Sequence, residues 1–229
     1  MTVQEAIKSR HSVRQYSDKP IEAEKLAQIS ALIDECNREG GLHIQLVTNE
    51  PKAFTQGKAR YGKFSGVNNY IAMICKKGDD TTLGYYGEKI VLLAQTLGLN
   101  TCWVGMTFSK QPDRYEVRKG EELQALLALG YGATQGVQHP WKKSVADVTK
   151  DARTTASGLF PEWFMRGIEA AMLAPTALNQ QKFVFVLHDD NKVEAKARFV
   201  LLNGYAPIDL GIVKCHFEIG AGKENFEWV

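Results

Sequence analysis

The apolar residues of this 229-residue chain predict the same order of elements twice: a helix, two strands and a buried helix. Helices are assigned where apolar residues recur at three- and four-residue steps, and strands where they alternate or form short continuous runs. The eight elements are predicted at 21–35, 42–48, 69–75 and 85–97 in the first set, and at 161–173, 183–187, 197–202 and 208–219 in the second. This repetition predicts an α+β chain made of two related helix–strand–strand–helix halves.

The two sets are unevenly spaced along the chain. The offset between corresponding elements falls from about 140 to about 120 residues, which indicates a degenerate duplication and not a tandem array. Residues 133–160 form a long segment without a clear pattern, and such segments usually connect halves or carry function. We therefore divide the chain into a first half at 1–150 and a second, shorter half at 151–229. We expect the two halves to pack as a pseudo-dimer.

Composition argues against several classes of protein. The net charge of +2 is too small to suggest a nucleic acid or a membrane surface as partner. The four cysteines are far apart and form no C-x-x-C pair, which argues against a metal site or a disulfide framework. The N-terminus has no signal pattern, and no apolar run approaches the length of a membrane span. We expect a soluble, cytoplasmic protein.

Two arginines near the N-terminus, Arg10 and Arg14, flank the hydroxyl of Ser12. A guanidinium group offers a planar fork of donors that matches phosphate oxygens, and it stays charged at any working pH. Most arginine pairs with this spacing are solvated and pair with surface acids. The residues that follow favour the anion-binding interpretation here.

The opening Arg-His-Ser-Val-Arg-Gln-Tyr at 10–16 resembles that of the FMN-dependent nitroreductase family, whose Arg/Ser/Arg cluster holds the flavin phosphate. Thr-Cys-Trp-Val-Gly at 101–105 and Leu-Gly-Tyr-Gly at 129–132 are similar to later motifs of that family. The Ala-Pro-Thr-Ala-Leu-Asn-Gln-Gln segment at 174–181 resembles a further family motif, which normally follows the first helix. Lys182 stands where the family usually has proline.

The displaced segment matters because the family is normally a homodimer that builds each flavin site from both subunits. One subunit supplies the phosphate and ring contacts, and the other supplies the proline-asparagine segment. With one set in each half, a single chain could assemble one complete site. The chain is therefore most similar to the fused, two-half branch of the family, and a monomer should suffice, although dimerisation through another surface stays open.

The resemblance implies roles for particular residues. The phosphate would contact the opening motif together with a lysine of the segment after Tyr131, and the ring would lie against Val104 and Gly105 and against the proline-asparagine segment at 174–181. The implied cofactor-binding residues are Arg10, His11, Ser12, Arg14, Asn69, Val104, Gly105, Lys142, Lys143, Pro175, Thr176, Ala177 and Asn179.

Simpler interpretations exist for several of these residues. Lys142 and Lys143 could equally be a solvated basic pair. The 174–181 segment by itself is typical of a helix stop and turn. Trp103, which directly precedes the implied contacts Val104 and Gly105, is typical of a core aromatic residue.

The resemblance implies an NAD(P)H-dependent oxidoreductase with FMN as cofactor. NADH or NADPH would reduce the flavin, which would pass a hydride to a small planar acceptor, a nitroaromatic or a quinone, in a ping-pong cycle. No catalytic side chain is expected, because the cofactor carries the chemistry. The alternatives are a flavin-using dehalogenase, a flavin-consuming relative and a non-catalytic flavin-binding protein such as a sensor.

Overall fold

Two four-stranded sheets form the frame of the molecule, which we describe from a computed structural model for residues 1–56, 63–137, 143–155, 158–198 and 204–229. The helices are α1 Val3–Ser9, α2 Ala23–Gly40, α3 Lys52–Thr55, α4 Asp80–Thr96, α5 Val145–Val148, α6 Glu162–Met172 and α7 Ala206–Ala221. The strands are β1 Gln45–Val47, β2 Asn69–Lys76, β3 Asn100–Val104, β4 Glu121–Gly130, β5 Thr149–Asp151, β6 Phe183–Leu187, β7 Lys192–Ala197 and β8 Glu227–Trp228.

The first sheet has the order β1-β2-β4-β3, and all its strand pairs are antiparallel. Its central strand β2 is buried on both faces, which explains the continuous apolar run in its sequence. Ile71 and Met73 pack towards α2 and α4, whereas Tyr70 and Ala72 pack into a second core on the opposite face.

The second sheet has the order β5-β6-β7-β8. Only its middle pair, β6 with β7, is antiparallel, and the two outer pairs are parallel. The helices α6 and α7 cover one face of this sheet through an aromatic core. In that core the rings of Phe185 and Phe217 stack with their centroids 4.5 Å apart.

The buried helices α4 and α7 pack directly against each other and join the two sheets into one body. Two glycines allow their backbones to touch. A Cβ atom on Gly84 would lie 2.1 Å from the Ile208 carbonyl oxygen, and one on Gly211 would lie 1.9 Å from the Thr81 carbonyl oxygen. Both distances are far below van der Waals contact, so only glycine, which has no Cβ atom, fits at these two positions.

The structure differs from the sequence predictions mainly at element boundaries. The second strand of the second set, predicted at 197–202, is observed at Lys192–Ala197, and residues 199–203 lie outside the described residues. The prediction followed the apolar run after Ala197. The observed strand is less apolar, with Val193 buried and Lys196 exposed. The segment 133–160, which shows no clear pattern in the sequence, contains the short elements α5 and β5, and the short helix α3 was not among the predicted elements.

The arrangement of the two sheets and two central helices is compatible with the predicted pseudo-dimer. In each predicted half, a pair of antiparallel strands lies beside its buried helix. The second sheet begins with β5 at Thr149, shortly before the predicted start of the second half at residue 151. Among the described residues, no helix combines the length and the apolar character that crossing a bilayer requires.

Candidate functional site

A cavity of about 650 Å³ lies where the two predicted halves meet. A volume in this range suits a small-molecule or cofactor site. The described lining residues are Ser12, Arg14, Phe64, Trp103, Val104, Gly105, Met106, Thr107 and Ala125 from the first half, and Pro175, Thr176, Ala177, Leu178, Gln180, Tyr205, Ile208, Asp209 and Ile212 from the second. The wall is therefore mainly apolar, with a few polar side chains contributed from each side.

The opening motif reaches the cavity as an extended segment beside β3. The helix α1 ends at Ser9, and Arg10 already has an extended backbone. Ser12 then forms a parallel bridge with Thr101, and the Val13 amide donates to the Thr101 carbonyl oxygen at 3.1 Å. This pairing leaves Ser12 and Arg14 on the cavity wall.

Arg10 lies deeper than Arg14 and contacts a buried acid. Its Nε lies 3.8 Å from Oε1 of Glu88, and this nitrogen has no hydrogen-bond acceptor among the described residues. Glu88 is fully buried and also accepts from Nε1 of Trp103 and contacts Nε2 of His216, each at 2.9 Å. Burial lowers the pKa of Arg10, and the Glu88 charge opposes that shift. The cavity lining given above does not include Arg10.

The proton count of this buried cluster follows from its hydrogen bonds. The Nδ1 atom of His216 faces the Ala170 carbonyl oxygen at 3.0 Å, and a carbonyl can only accept, so Nδ1 carries a hydrogen. A second proton must lie between His216 Nε2 and Glu88. Wherever that proton sits, Arg10, Glu88 and His216 together carry one net positive charge.

Arg10, Ser12 and Arg14 of the opening motif all lie near one thiol. Burial raises the pKa of Cys102, while Arg14, the Ser12 hydroxyl and Arg10 act in the opposite direction. Their shared proximity to Cys102 brings two guanidinium groups and a hydroxyl to one place beside the cavity. Together with Arg14, the buried cluster offers two net positive charges, which match the charge of a phosphate monoester near neutral pH. The residues present therefore fit a ligand with a terminal phosphate.

The remaining residues predicted for the phosphate end have other or additional neighbours. His11 packs against the segment after β4, where a Cβ on Gly136 would lie 2.9 Å from the His11 Cβ. Lys142 lies outside the described residues. Lys143 precedes α5 and lies near Asp147, whose pKa is lowered by hydrogen bonds from Ser144 and further by the Lys143 charge.

The proline-asparagine segment forms a tight turn on the opposite wall. Pro175, Thr176 and Ala177, three of the predicted cofactor contacts, line the cavity together with Leu178. Leu178 and Asn179 have left-handed backbones, with φ of 54° and 51°. This conformation is costly for leucine. Asn179 has contacts of its own and is not among the lining residues named above.

Side chains hold this strained turn in place from two directions. The Ala177 amide donates to both carboxyl oxygens of Asp209, at 3.0 and 3.1 Å. The Gln181 amide donates to the Thr176 hydroxyl at 3.1 Å, and the Gln181 side chain donates to the Met172 carbonyl at 3.0 Å. The turn is thereby tied to both α6 and α7.

Asp209 is a site residue that the sequence analysis missed. Burial raises its pKa to about 7, and the hydrogen bond from the Ala177 amide opposes that shift. A signal was present in the sequence, because Asp209 is a single carboxyl in the apolar run Ile-Asp-Leu-Gly-Ile-Val at 208–213. Lone acids in buried helices require an explanation.

The end of β3 contacts a tyrosine of the second half. The Tyr205 hydroxyl donates to the Gly105 carbonyl oxygen at 2.7 Å. A Cβ on Gly105 would lie 2.4 Å from the Tyr205 ring, so only glycine fits this approach. The hydrogen bond fixes the peptide plane between Gly105 and Met106, which sets the direction of the Met106 amide.

Asn69 stands apart from the other predicted contacts. It begins β2 in register with Leu129, and its side-chain oxygen accepts from the Asn49 amide at 3.2 Å. The cavity lining does not include Asn69. Its observed contact holds the turn after β1.

Comparison with known proteins agrees with this fold. The sequence profile of the family described as "Putative TM nitroreductase" matches residues 2–221. Among curated protein sequences, none matches this chain significantly. A solved "putative nitroreductase" from Thermotoga maritima is 19% identical, with a TM-score of 0.67 over 99% of this chain and 87% of its own.

Two further solved structures are similar to part of this chain. The NfrA1 nitroreductase from B. subtilis is 15% identical, with a TM-score of 0.51 over 63% of this chain and 72% of its own. A "putative nitroreductase" from Desulfovibrio desulfuricans, solved in complex with FMN, is 16% identical, with a TM-score of 0.48 over 64% of this chain and 94% of its own.

The two sheets, the central helices and the cavity between them define an α+β protein of the nitroreductase class. The chain belongs to the family described as "Putative TM nitroreductase", because the family profile covers almost its whole length. This confirms the family and the fold class predicted from the motifs. Membership of a nitroreductase family makes the protein an oxidoreductase.

Proposed function

We propose that the protein binds FMN in the cavity and catalyses the transfer of electrons from NADH or NADPH to a small planar acceptor, a nitroaromatic or a quinone. One observation carries this proposal. The cavity brings Ser12 and Arg14 of the opening motif to the same space as Pro175, Thr176 and Ala177 of the second half. These are the two motifs that the family resemblance assigns to opposite sides of one flavin.

The chain's own residues would bind and orient the cofactor. Arg14 and Ser12 would hold the phosphate, with Arg10 adding charge from beneath. Trp103, Val104 and Gly105 would form one wall for the ring, and Pro175 to Ala177 the other. Bound FMN would supply the hydride chemistry, accepting a hydride from the nicotinamide and passing it to the acceptor in a ping-pong cycle.

Two features of this arrangement suit such a reaction, and a third concerns its stoichiometry. The apolar walls exclude water from the planar ligand, which protects a hydride in transit. The Tyr205 hydroxyl fixes the peptide between Gly105 and Met106, which keeps a backbone donor in one orientation. Because both walls come from the same chain, one chain would bind one FMN, and a monomer would suffice.

We extend the proposal to the division of the chain. The segment 1–150 would be the half that supplies the phosphate contacts, and 151–229 the half that supplies the proline-asparagine turn. Asn69, His11, Lys142, Lys143 and Asn179 remain predicted contacts. We also retain the prediction of a cytoplasmic location.

The absorption spectrum of the purified protein tests the function. Protein reconstituted with FMN is mixed anaerobically with NADH and, separately, with NADPH. We expect the flavin bands to bleach with at least one of them, and to return when a quinone or a nitroaromatic is added. Retained bands with both nicotinamides would contradict the proposal and indicate a passive flavin-binding protein. Loss of the flavin itself, followed by chromatography, would indicate a flavin-consuming enzyme.

A further inference from the structure

Asp209 is the single carboxyl group among the described residues that line the cavity. It lies in the first turn of α7, where its backbone amide donates to the Tyr205 carbonyl oxygen at 2.9 Å. Both carboxyl oxygens accept from the Ala177 amide of the opposite turn. Among the described residues neither oxygen has another hydrogen bond, so this cavity-lining group keeps unused bonding capacity.

The surroundings of this carboxyl group disfavour its charge. Ile208 and Ile212 of the same helix line the cavity beside it, and both are buried. Within the described part of the chain, no lysine, arginine or histidine forms an ion pair with it. Burial accordingly raises its pKa to about 7, opposed only by the bond from the Ala177 amide. Near neutral pH the group can therefore hold a proton and release it.

Among the residues that the structure describes, the charged and titratable groups on the neighbouring elements are not paired with Asp209. The lining contains Arg14 and Tyr205, and neither contributes to the shift of the Asp209 pKa. The turn that packs on Asp209, residues 176–180, contains no ionisable side chain. The helix α4 packs on α7 through Thr81, Gly84 and Tyr85, around Ile208 and Gly211. Tyr85 itself donates to Glu218, two turns further along α7.

We propose that Asp209 is a catalytic residue that donates the proton accompanying hydride transfer to the acceptor. This inference rests on the proposed function, to which it adds the residue that donates the proton needed for reduction of the acceptor. A carboxylic acid in contact with the acceptor can protonate the oxygen on which negative charge develops.

The step balances in atoms and electrons. Asp209 would supply a proton, and the two electrons would arrive as a hydride from the reduced cofactor. A quinone accepts both and becomes a hydroquinone. A nitroaromatic accepts both, breaks one nitrogen–oxygen bond and leaves as a nitroso compound and water. The Asp209 carboxylate then regains its proton from solvent.

Asp209→Asn is the test variant, because the amide oxygen can still accept from Ala177 while the side chain no longer titrates. The matched control is Asp189→Asn. Asp189 also accepts from a backbone amide, that of Thr154, with both oxygens at 3.1 and 3.3 Å. The cavity lining does not include Asp189.

The first measurement needs no cofactor. Difference infrared spectroscopy of the FMN-free protein follows the protonated carboxyl signal as the pH is raised. We expect one carboxyl group to titrate near neutral pH in the parent and in Asp189→Asn, and this signal to be missing in Asp209→Asn. The same signal in all three proteins would overturn the proposal.

The second measurement separates the two half-reactions by stopped flow. Flavin reduction by the nicotinamide requires no proton donor, so it should proceed within about 3-fold of the parent rate in both variants. Oxidation by a quinone should slow roughly 100-fold in Asp209→Asn, the lower range for loss of a general acid. In the parent, this rate should fall as the pH rises through the Asp209 pKa, and the fall should be absent in the variant.

The outcomes distinguish a failure of the proposed function from a failure of the role proposed for Asp209. A parent protein that is not reduced by either nicotinamide contradicts the proposed function. A parent that is reduced, with an Asp209→Asn variant that reoxidises at the parent rate and with the parent pH profile, contradicts the role of Asp209 alone.

Discussion

Arg14 and Arg10 carry the same charge in different surroundings, and the difference can be measured. Arg14 lines the cavity and makes no ion pair with a described residue, so its guanidinium is available to a phosphate. We expect Arg14→Ala to weaken FMN binding by roughly 1.5–3 kcal/mol, the range for a hydrogen bond to a charged group. Riboflavin, which lacks the phosphate, should bind both proteins equally. Fluorescence titration gives both affinities, and equal losses for the two ligands would show that Arg14 does not contact the phosphate.

Glu88 supports its neighbours through two hydrogen bonds, so its substitutions should differ sharply. Glutamine can accept from Trp103 and donate to a neutral His216, and the cluster then keeps its one positive charge. We expect Glu88→Gln to stay within about 1 kcal/mol of the parent, close to the net value of one hydrogen bond. Alanine leaves two buried groups without partners and should cost about 2–5 kcal/mol. Urea unfolding measures both values, and equal losses would contradict the proposed proton count.

The raised pKa of Asp209 should make the free energy of unfolding depend on pH. Its pKa rises from 3.8 in the unfolded chain to about 7 in the folded protein. Between these values the unfolded chain loses its proton first, so the free energy of unfolding falls as the pH rises from about 4 to about 7. A tenfold change in proton affinity corresponds to about 1.4 kcal/mol, so the total effect is on the order of a few kcal/mol.

The variant Asp209→Asn removes this dependence. We expect its stability, relative to the parent, to rise between pH 4 and pH 7, and Asp189→Asn to follow the parent. Denaturant unfolding across this pH range measures the difference. A constant difference between Asp209→Asn and the parent would show that the carboxyl group has an ordinary pKa.

The site residues differ in how far the sequence could predict them. Ser12, Arg14, Gly105 and the Pro175–Ala177 turn occur in motifs, and motifs are visible in one dimension. The position of Arg10 beside Glu88 depends on packing between α1, α4 and α7, which no local pattern encodes. The same holds for the carboxyl group of Asp209, which contacts a turn 32 residues earlier in the chain.

At the scale of elements, the contact between α4 and α7 makes a specific prediction. Gly211→Ala places a methyl carbon 1.9 Å from the Thr81 carbonyl oxygen, so the two helices must separate. Overpacking of this kind typically costs 1–3 kcal/mol, and a clash with backbone falls at about the upper end or beyond. Gly204→Ala is the control, because no atom of the described residues lies within 4 Å of its added Cβ. Thermal unfolding should show a clear loss for the first and almost none for the second.

The long, buried helices and strands were predictable, and the short elements were not. The elements β2, α4, β4 and α7 are buried, so their apolar patterns are long and clear. The strand β8 has two residues, and α3 and α5 have four each, too few to show a period. Their positions are set by pairing and capping, for example the Ser144 cap of α5.

At the scale of the whole molecule, the composition of the cavity wall makes a stoichiometric prediction. Since both motifs lie on one chain, FMN should titrate at one molecule per chain. The second half has a single arginine, Arg153, near its own start, and Asp151 pairs with it at 2.7 Å. We therefore expect no second phosphate site. Titration of FMN-free protein, with the mass followed by light scattering, gives both numbers. Flavin binding that occurs only together with dimer formation would place the site between chains.

The backbone contact between α4 and α7 leads to an expectation about where ligands enter and leave. With no room for a methyl group at Gly84 or Gly211, the two halves cannot part at this contact without breaking the core. The cavity is open to solvent on the side of Met106 and Leu178, which line it and are 68% and 79% exposed. Rotation of these two side chains, at opposite edges of a rigid frame, would then set the rate at which a bound ligand exchanges.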